Sequence, residues 1–399
     1  MMMEFLRQTL FAEKFDVENR VPIPLFELPI VGTTIGILPF QPLFWIQLTA
    51  VVLAETVLNI ACACIIYRYI LQSERGSTSS SLLTYGLLLP LLLSSAFWLT
   101  HQLDIRNYVL KMATASGPVL MSLRCLEALY QTHPPASGQT LQTFVTYYAA
   151  TVQFESDPAT GLAQKVTAQY LLRQVVDFVS FFVQNTLLVS VLMPYDFRVW
   201  NTPSTATHFF YYLHWTHIAN NLLLAIATAL FLEVGSVGVG LATSLVTGQQ
   251  VVRLNDHPLT RSTSPSDFWG RRWNRIVSPA LKRAVFKPLR QNGYSRSLAA
   301  VATFVVSGLV HEYLLVLLSF ATGQQWLFFL WNGLVLALEH SVGHTKPLQW
   351  MAQNLPRPLR TALVLLLVLP VSHWFTDDYV DVGFYNHFAM AFPRLVQMK

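Results

Sequence analysis

Charge is what this 399-residue chain lacks. Asp, Glu, Lys and Arg make up 12% of it, about half of the share that solvates an ordinary globular protein. A soluble two-domain enzyme is a poor description, because 53% of the residues are hydrophobic and they gather in runs longer than a soluble helix needs. Cysteine is scarce as well. Cys62, Cys64 and Cys125 cannot build a disulfide framework. The first two stand in an apolar run as C-x-C, which reads as buried packing rather than a metal site. No N-x-[ST] sequon with a permitted middle residue occurs, as expected where little of the chain is luminal. Residues 1–20 hold no sustained apolar stretch of the signal-peptide kind. They read either as an amphipathic surface helix, with Met3, Leu6, Leu10 and Phe11 near one face, or as a frayed terminus.

What the chain has in abundance is apolar length. A membrane span needs roughly 20 predominantly apolar residues. Clear candidates are Phe44–Leu71, Leu82–Thr100, Val175–Met193, Ile218–Leu232, Val237–Val252, Leu298–Ala321, Trp326–Leu338 and Thr361–Phe375. Val21–Phe40 is weaker, broken by Pro22, Pro24, Pro29 and Pro39, and Tyr108–Leu126 carries Lys111 and Arg124. The pattern predicts an all-α polytopic bundle of about eight to ten membrane helices, several short or tilted. Polar residues inside the spans, Glu55, Asn59, Asn185, Asn220 and Asn221, must face the bundle interior or a hydrated cavity. Ser73–Ser81 reads as a linker, and Gln131–Lys165 as a loop around the apolar patch Phe144–Val152. No repeat or separate soluble domain is evident. The organisation predicted is an N-terminal segment over 1–43 and one multi-span domain over 44–399.

The net charge of +5 is unevenly placed. Arg261, Arg271, Arg272, Arg275, Lys282, Arg283, Lys287, Arg290 and Arg296 face a single acid, Asp267, in that stretch. By the positive-inside rule this loop is cytosolic. Nucleic-acid binding does not suit a basic patch flanked so closely by apolar spans. Within it, Asp267-Phe-Trp-Gly-Arg-Arg-Trp-Asn274 leads into Ile276, Val277, Leu281, Val285 and Phe286, the pattern of a helix lying at an interface. Trp269 and Trp273, four apart, share a face, while Arg271 and Arg272 reach toward phosphate or headgroup. A purely topogenic basic loop would look similar, with less reason to combine two Trp, a Gly, paired Arg and an Asn.

His311-Glu312 lies inside the apolar run Ser297 to Ala321, where an ionisable group is costly and marks a function by default. Position 315 is Leu, so the second histidine of H-E-x-x-H is missing and no metal is expected. Ser307-Gly308 is not a nucleophile elbow; small residues there let helices approach closely. What remains is His311 as a general base. Burial favours its neutral form, and a neutral imidazole can take the proton of a hydroxyl as that oxygen attacks an electrophile. Glu312, about 100° further round the helix, serves a different face. His257 reads as a turn residue, His208, His214 and His217 as interface anchors, and His340 and His344 as candidates for a cavity wall. A transporter in which His311 and the buried Asn and Glu line a path is the rival class. The basic, Trp-rich loop is unusual for such a path and favours an enzyme.

The strings Ser266-Asp-Phe-Trp-Gly-Arg-Arg-Trp-Asn274, Ala284-Val-Phe-Lys-Pro-Leu289 and Ser307-Gly-Leu-Val-His-Glu312, with 37 residues from Asn274 to His311, resemble the wax synthase branch of the membrane-bound O-acyltransferase superfamily. The likeness is specific over roughly residues 255–345. It implies an acyl-CoA donor, a lipid alcohol acceptor and an endoplasmic reticulum membrane. It also implies that His311 matches the family's catalytic histidine and Asn274 its second active-site position. On that reading Trp269, Arg271, Arg272 and Trp273 meet the CoA. His311 activates the acceptor hydroxyl in a ternary complex, and the Asn274 amide holds the thioester. Neither a cofactor nor a covalent acyl-enzyme is required. A long-chain alcohol is the first acceptor expected, with diacylglycerol, a sterol or a terpenoid alcohol as alternatives.

Overall fold

The computed structural model describes residues 20–28, 33–74, 76–157, 160–201 and 211–398. The amphipathic helix considered for the first residues, and His208, lie outside them. Five helices are long and apolar enough to cross a membrane: α1 (Pro42–Leu71), α2 (Thr78–Gln102), α4 (Ala168–Tyr195), α5 (Trp215–Thr247) and α6 (Arg296–Leu317). A sixth span arises if α8 (Arg357–Val371) and α9 (His373–Asp381), bent by 48°, are taken as one. Between them lie α3 (Tyr108–Leu129) and α7 (Gln324–Val342). The result is a helical membrane bundle, as predicted, but with five or six such spans among the described residues rather than about eight to ten.

Each difference in the count has a local cause. The two candidates at 218–232 and 237–252 are one 33-residue helix, α5, because Gly235, Gly238 and Gly240 lower helix propensity without removing a backbone hydrogen bond. α3 is a buried interior helix whose charges are used inside the protein. Arg124, 1% exposed, donates to the carbonyls of Tyr147, Tyr148, Ala150 and Val152, pinning the short helix Leu141–Ala149 and its following loop. Val21–Phe40 is not a span at all. β1 (Ile23–Leu28) and β2 (Thr33–Leu38) pair antiparallel, and β2 pairs antiparallel with β3 (Arg394–Met398), in the order β1-β2-β3. Proline explains the choice: it breaks a helix interior but is tolerated on an edge strand, where Pro24 stands.

Polar groups inside the spans are buried as expected. Asn185 donates to the carbonyls of Phe181 and Leu230. Asn220 exchanges hydrogen bonds with the Trp200 backbone. Asn221 donates to the Leu369 carbonyl at 2.8 Å, while His217 lies 3.0 Å from that of Pro370. Proline frees backbone carbonyls at a kink, and these two residues satisfy them. His217 is therefore a buried structural group and not an interface anchor. His214 caps the start of α5 through Thr216. Cys62 and Cys125 are buried, but Cys64 is exposed, because residues two apart on a helix point to nearly opposite sides.

Candidate active site

The basic stretch does not form the continuous interfacial helix that its periodicity predicts. It is a string of helical turns from 265 to 291, interrupted at Asn274, whose φ of 45° is left-handed. Asn tolerates that region better than most residues. Polar side chains hold the string in shape. Glu339 of α7 accepts hydrogen bonds from the backbone N–H and the hydroxyl of Ser266, both at 2.8 Å. Asp267 accepts from Thr263 N–H at 3.0 Å and from Arg272 Nε at 2.7 Å. Burial alone would raise the Asp267 carboxyl, but the Arg272 and Thr263 hydrogen bonds outweigh it and hold it below its ordinary value. Arg272 also reaches Asp256 Oδ2 at 3.0 Å.

That geometry divides the paired arginines. Arg272 is committed to two carboxylates and is not among the residues around the large cavity, whereas Arg271 is exposed and lines it. Lys282, Arg290 and Arg296 line it as well, and sequence reasoning had counted them only as part of the basic excess. Trp269 and Trp273 do share a face, with ring centroids 6.3 Å apart, and both line the cavity. Trp269 is no headgroup anchor: its Nε1 donates to Asn332 Oδ1 at 3.1 Å, and its ring packs on Phe304, Phe328 and Phe329.

Asn274 is held from both sides. Its N–H donates to Asn255 Oδ1 at 2.9 Å, and the Asn255 N–H donates in turn to the buried Glu233 of α5 at 3.0 Å. The side-chain oxygen of Asn274 accepts from Val277 N–H at 3.1 Å, capping the next turn. Among the described residues nothing accepts from its amide nitrogen. Asn274 thus borders the cavity with a donor free.

His311 sits on α6, which packs tightly on α7. A Cβ added at Gly308 would lie 3.0 Å from Trp326 Cα, and one at Gly333 would lie 2.9 Å from Phe304 Cβ, so glycine on each helix permits the approach. The His311 ring stacks on Phe329 at 4.6 Å and meets the edge of Phe375 at 5.2 Å. Its Nδ1 is sealed off, with no hydrogen-bond partner among the described residues. Phe329 also touches Trp269, so one aromatic cluster ties the turns to the histidine. Glu312 faces elsewhere, as expected, accepting from Gly323 and Trp326 N–H at 3.3 and 3.1 Å at the start of α7.

His311 and Asn274 border one mostly apolar cavity of about 1500 Å³, larger than the usual small-molecule pocket. His340 is on its wall and His344 is not. Such a site can hold a long apolar substrate, a neutral proton acceptor and an amide donor together, with cations beside them.

The motif region has known relatives. Residues 254–331 match the membrane bound O-acyl transferase family. The chain is 36% identical over 118 residues to the probable long-chain-alcohol O-fatty-acyltransferase 9 of Arabidopsis thaliana, covering 27% of this chain and 33% of that protein. It is 36% identical over 126 residues to acyl-CoA–sterol O-acyltransferase 1 of the same plant, covering 28% and 34%. It is 39% identical over 147 residues to the probable long-chain-alcohol O-fatty-acyltransferase 7, covering 34% and 38%. The matched stretches thus span a third or a little more of each relative. The motif region of this multi-pass membrane protein, residues 254–331, is thus similar to the membrane bound O-acyl transferase family, and to relatives named as acyltransferases of long-chain alcohols and of a sterol.

Proposed function

We propose that the protein is an acyl-CoA-dependent O-acyltransferase that esterifies a long-chain alcohol at the endoplasmic reticulum membrane. The observation that carries this reading is the meeting of His311 and the free Asn274 amide nitrogen on one apolar cavity. With Nδ1 sealed, Nε2 is the ring nitrogen a substrate reaches. It takes the proton of the acceptor hydroxyl as that oxygen attacks the thioester carbonyl. The Asn274 amide donates to the carbonyl oxygen as negative charge develops there, a contribution of about 3 kcal/mol for one preorganised donor. The C–S bond then breaks, and the CoA sulfur leaves with the proton that His311 had taken. No covalent acyl-enzyme is needed.

Arg271, Lys282, Arg290 and Arg296 are the cations available to CoA phosphates. Arg272 is not, because its guanidinium already pairs with Asp256 and Asp267. Trp269 and Trp273 contribute ring surface to the cavity wall. A sterol acceptor is the second reading, favoured by the relative named as a sterol acyltransferase.

The test uses membranes from cells lacking neutral-lipid synthesis that express the full chain. Acyl-CoA is supplied with or without hexadecan-1-ol or a sterol, and free thiol and esters are measured. Thiol release that requires the alcohol, with matching ester, supports the reading. Thiol release that ignores alcohol, or none at all, overturns it.

A further inference from the structure

Several polar groups inside the spans reach across to other segments. Asn185, Asn220 and Asn221 each donate to a carbonyl of another segment. Unpaired buried atoms concentrate at Glu55 and Asn59, one turn apart on α1. Glu55 is 5% exposed and Asn59 fully buried, yet Glu55 Oε1 and both polar atoms of the Asn59 amide have no hydrogen-bond partner. Buried polar atoms left unpaired are costly and rare, and in a membrane span they mark a function by default. The chain makes room for them. Gly117 of α3 faces the pair, and a Cβ there would collide with Glu55 Oε2. Glu55 lines the same cavity as His311, and Thr56 and Ser116 line it beside Glu55. Their hydroxyls donate back to their own helices, to Val52 and Ala113, so each keeps acceptor capacity.

We propose that Glu55, supported by Asn59, forms a polar subsite in the cavity that receives a second hydroxyl of a substrate. This rests on the acyltransferase reading, and it narrows the substrate class. One substrate is then an oxygenated lipid and not a plain hydrocarbon chain with a single reactive end. The second hydroxyl belongs either to the acceptor, making it a diol, or to the acyl chain. A protonated carboxyl group can both donate to and accept from such a hydroxyl, with Asn59 behind it, whereas a methyl or methylene placed there would leave the carboxyl unpaired. A site built to hydrogen-bond a hydroxyl rejects the analogue lacking it far more strongly than an apolar site prefers one chain length.

The experiment compares hexadecan-1-ol with hexadecane-1,16-diol as acceptor, and hexadecanoyl-CoA with 16-hydroxyhexadecanoyl-CoA as donor. Wild type should favour one hydroxylated substrate over its plain counterpart by about tenfold in kcat/KM, equivalent to one hydrogen bond. The arm that shows the preference identifies the source. The ratio should fall to about one in Glu55→Leu and survive in Glu55→Gln, which keeps a donor and an acceptor. Thermal stabilisation of the purified full chain by each compound reads binding without chemistry. A larger shift with the hydroxylated compound, lost in Glu55→Leu, supports the subsite even where no ester forms, and that outcome would overturn the acyltransferase reading alone. If wild type makes ester from plain and hydroxylated substrates with equal efficiency and equal thermal shifts, the subsite is wrong and the acyltransferase reading stands.

Discussion

The two walls of the cavity are built on opposite principles. On the wall formed by residues 254–274 with α6 and α7, nearly every polar side chain is tied down. Asp267, Arg272, Glu339, Glu312 and Asn255 all make directed hydrogen bonds or ion pairs. What stays available beside the cavity is the His311 ring, His340 and one end of Asn274. On the wall formed by α1 and α3, Glu55 and Asn59 are buried, and among the described residues Glu55 Oε1 and both ends of the Asn59 amide are unpaired. The first wall is rigid where chemistry demands placement within a fraction of an ångström. The second leaves buried polar atoms unpaired behind a cavity wall to which Glu55 belongs. This contrast also separates residues that look alike in sequence. Arg271 and Arg272 are neighbours of equal charge, but one borders the cavity and the other holds the wall together.

Removing the free groups of the rigid wall should have the largest effects. His311→Ala should lower ester formation by roughly a thousandfold or more, since it deletes the base assigned to the acceptor hydroxyl. Rates normalised to inserted protein check this, and near-normal turnover in a folded variant would sink the assignment.

Asn274 allows a finer cut, because its two ends do different work. Asn274→Asp keeps the oxygen that caps Val277 and tolerates the left-handed backbone, but loses the N–H donor. Turnover should fall roughly a hundredfold with the melting temperature close to wild type. Asn274→Ala should lose both. Equal melting temperatures and equal rates in all three proteins would make Asn274 a bystander.

The arginine pair should then split cleanly. Arg272→Gln should destabilise the protein by about 2 kcal/mol, because it leaves the largely buried Asp267 unpaired. The check is thermal unfolding in detergent. Arg271→Gln should leave stability alone and raise the KM for acyl-CoA about fivefold with little change in kcat, since phosphate binding is nearly equal in ground and transition states. A raised KM in the first variant and none in the second would reverse the roles.

The smallest effect concerns pH. Asp267 is held below its ordinary carboxyl value by Arg272 and Thr263 against the opposing pull of burial. Its contribution is therefore complete above about pH 4 and is lost as pH falls through the lowered value. The melting-temperature gap between wild type and Asp267→Asn should narrow on acidification below about pH 4. A gap independent of pH would show that the pair contributes by packing alone.

Sequence by itself determined the class of molecule: a helical membrane bundle, signalled by apolar runs too long for a soluble core. It also singled out His311 by the cost of an ionisable group in a span, and it assigned Glu312 to another face by the geometry of a helix. Proline already argued against a helix at 21–40, although the third strand comes from the far end of the chain. Only the tertiary structure decided the rest. The interfacial helix at 267–286 became a string of turns because hydrogen bonds accepted by Glu339, Asp256 and Asn255, each outside that run, outweigh its local periodicity. Arg124 stopped looking like a defect in a span once four carbonyls of a later short helix and the loop after it came within its reach. Whether a polar residue is satisfied depends on what the other helices bring to it, and no spacing along the chain carries that information. Glu55 and Asn185 look equivalent as polar residues in apolar runs; in the folded bundle the Asn185 amide nitrogen is hydrogen-bonded across to α5, whereas Glu55 borders the cavity.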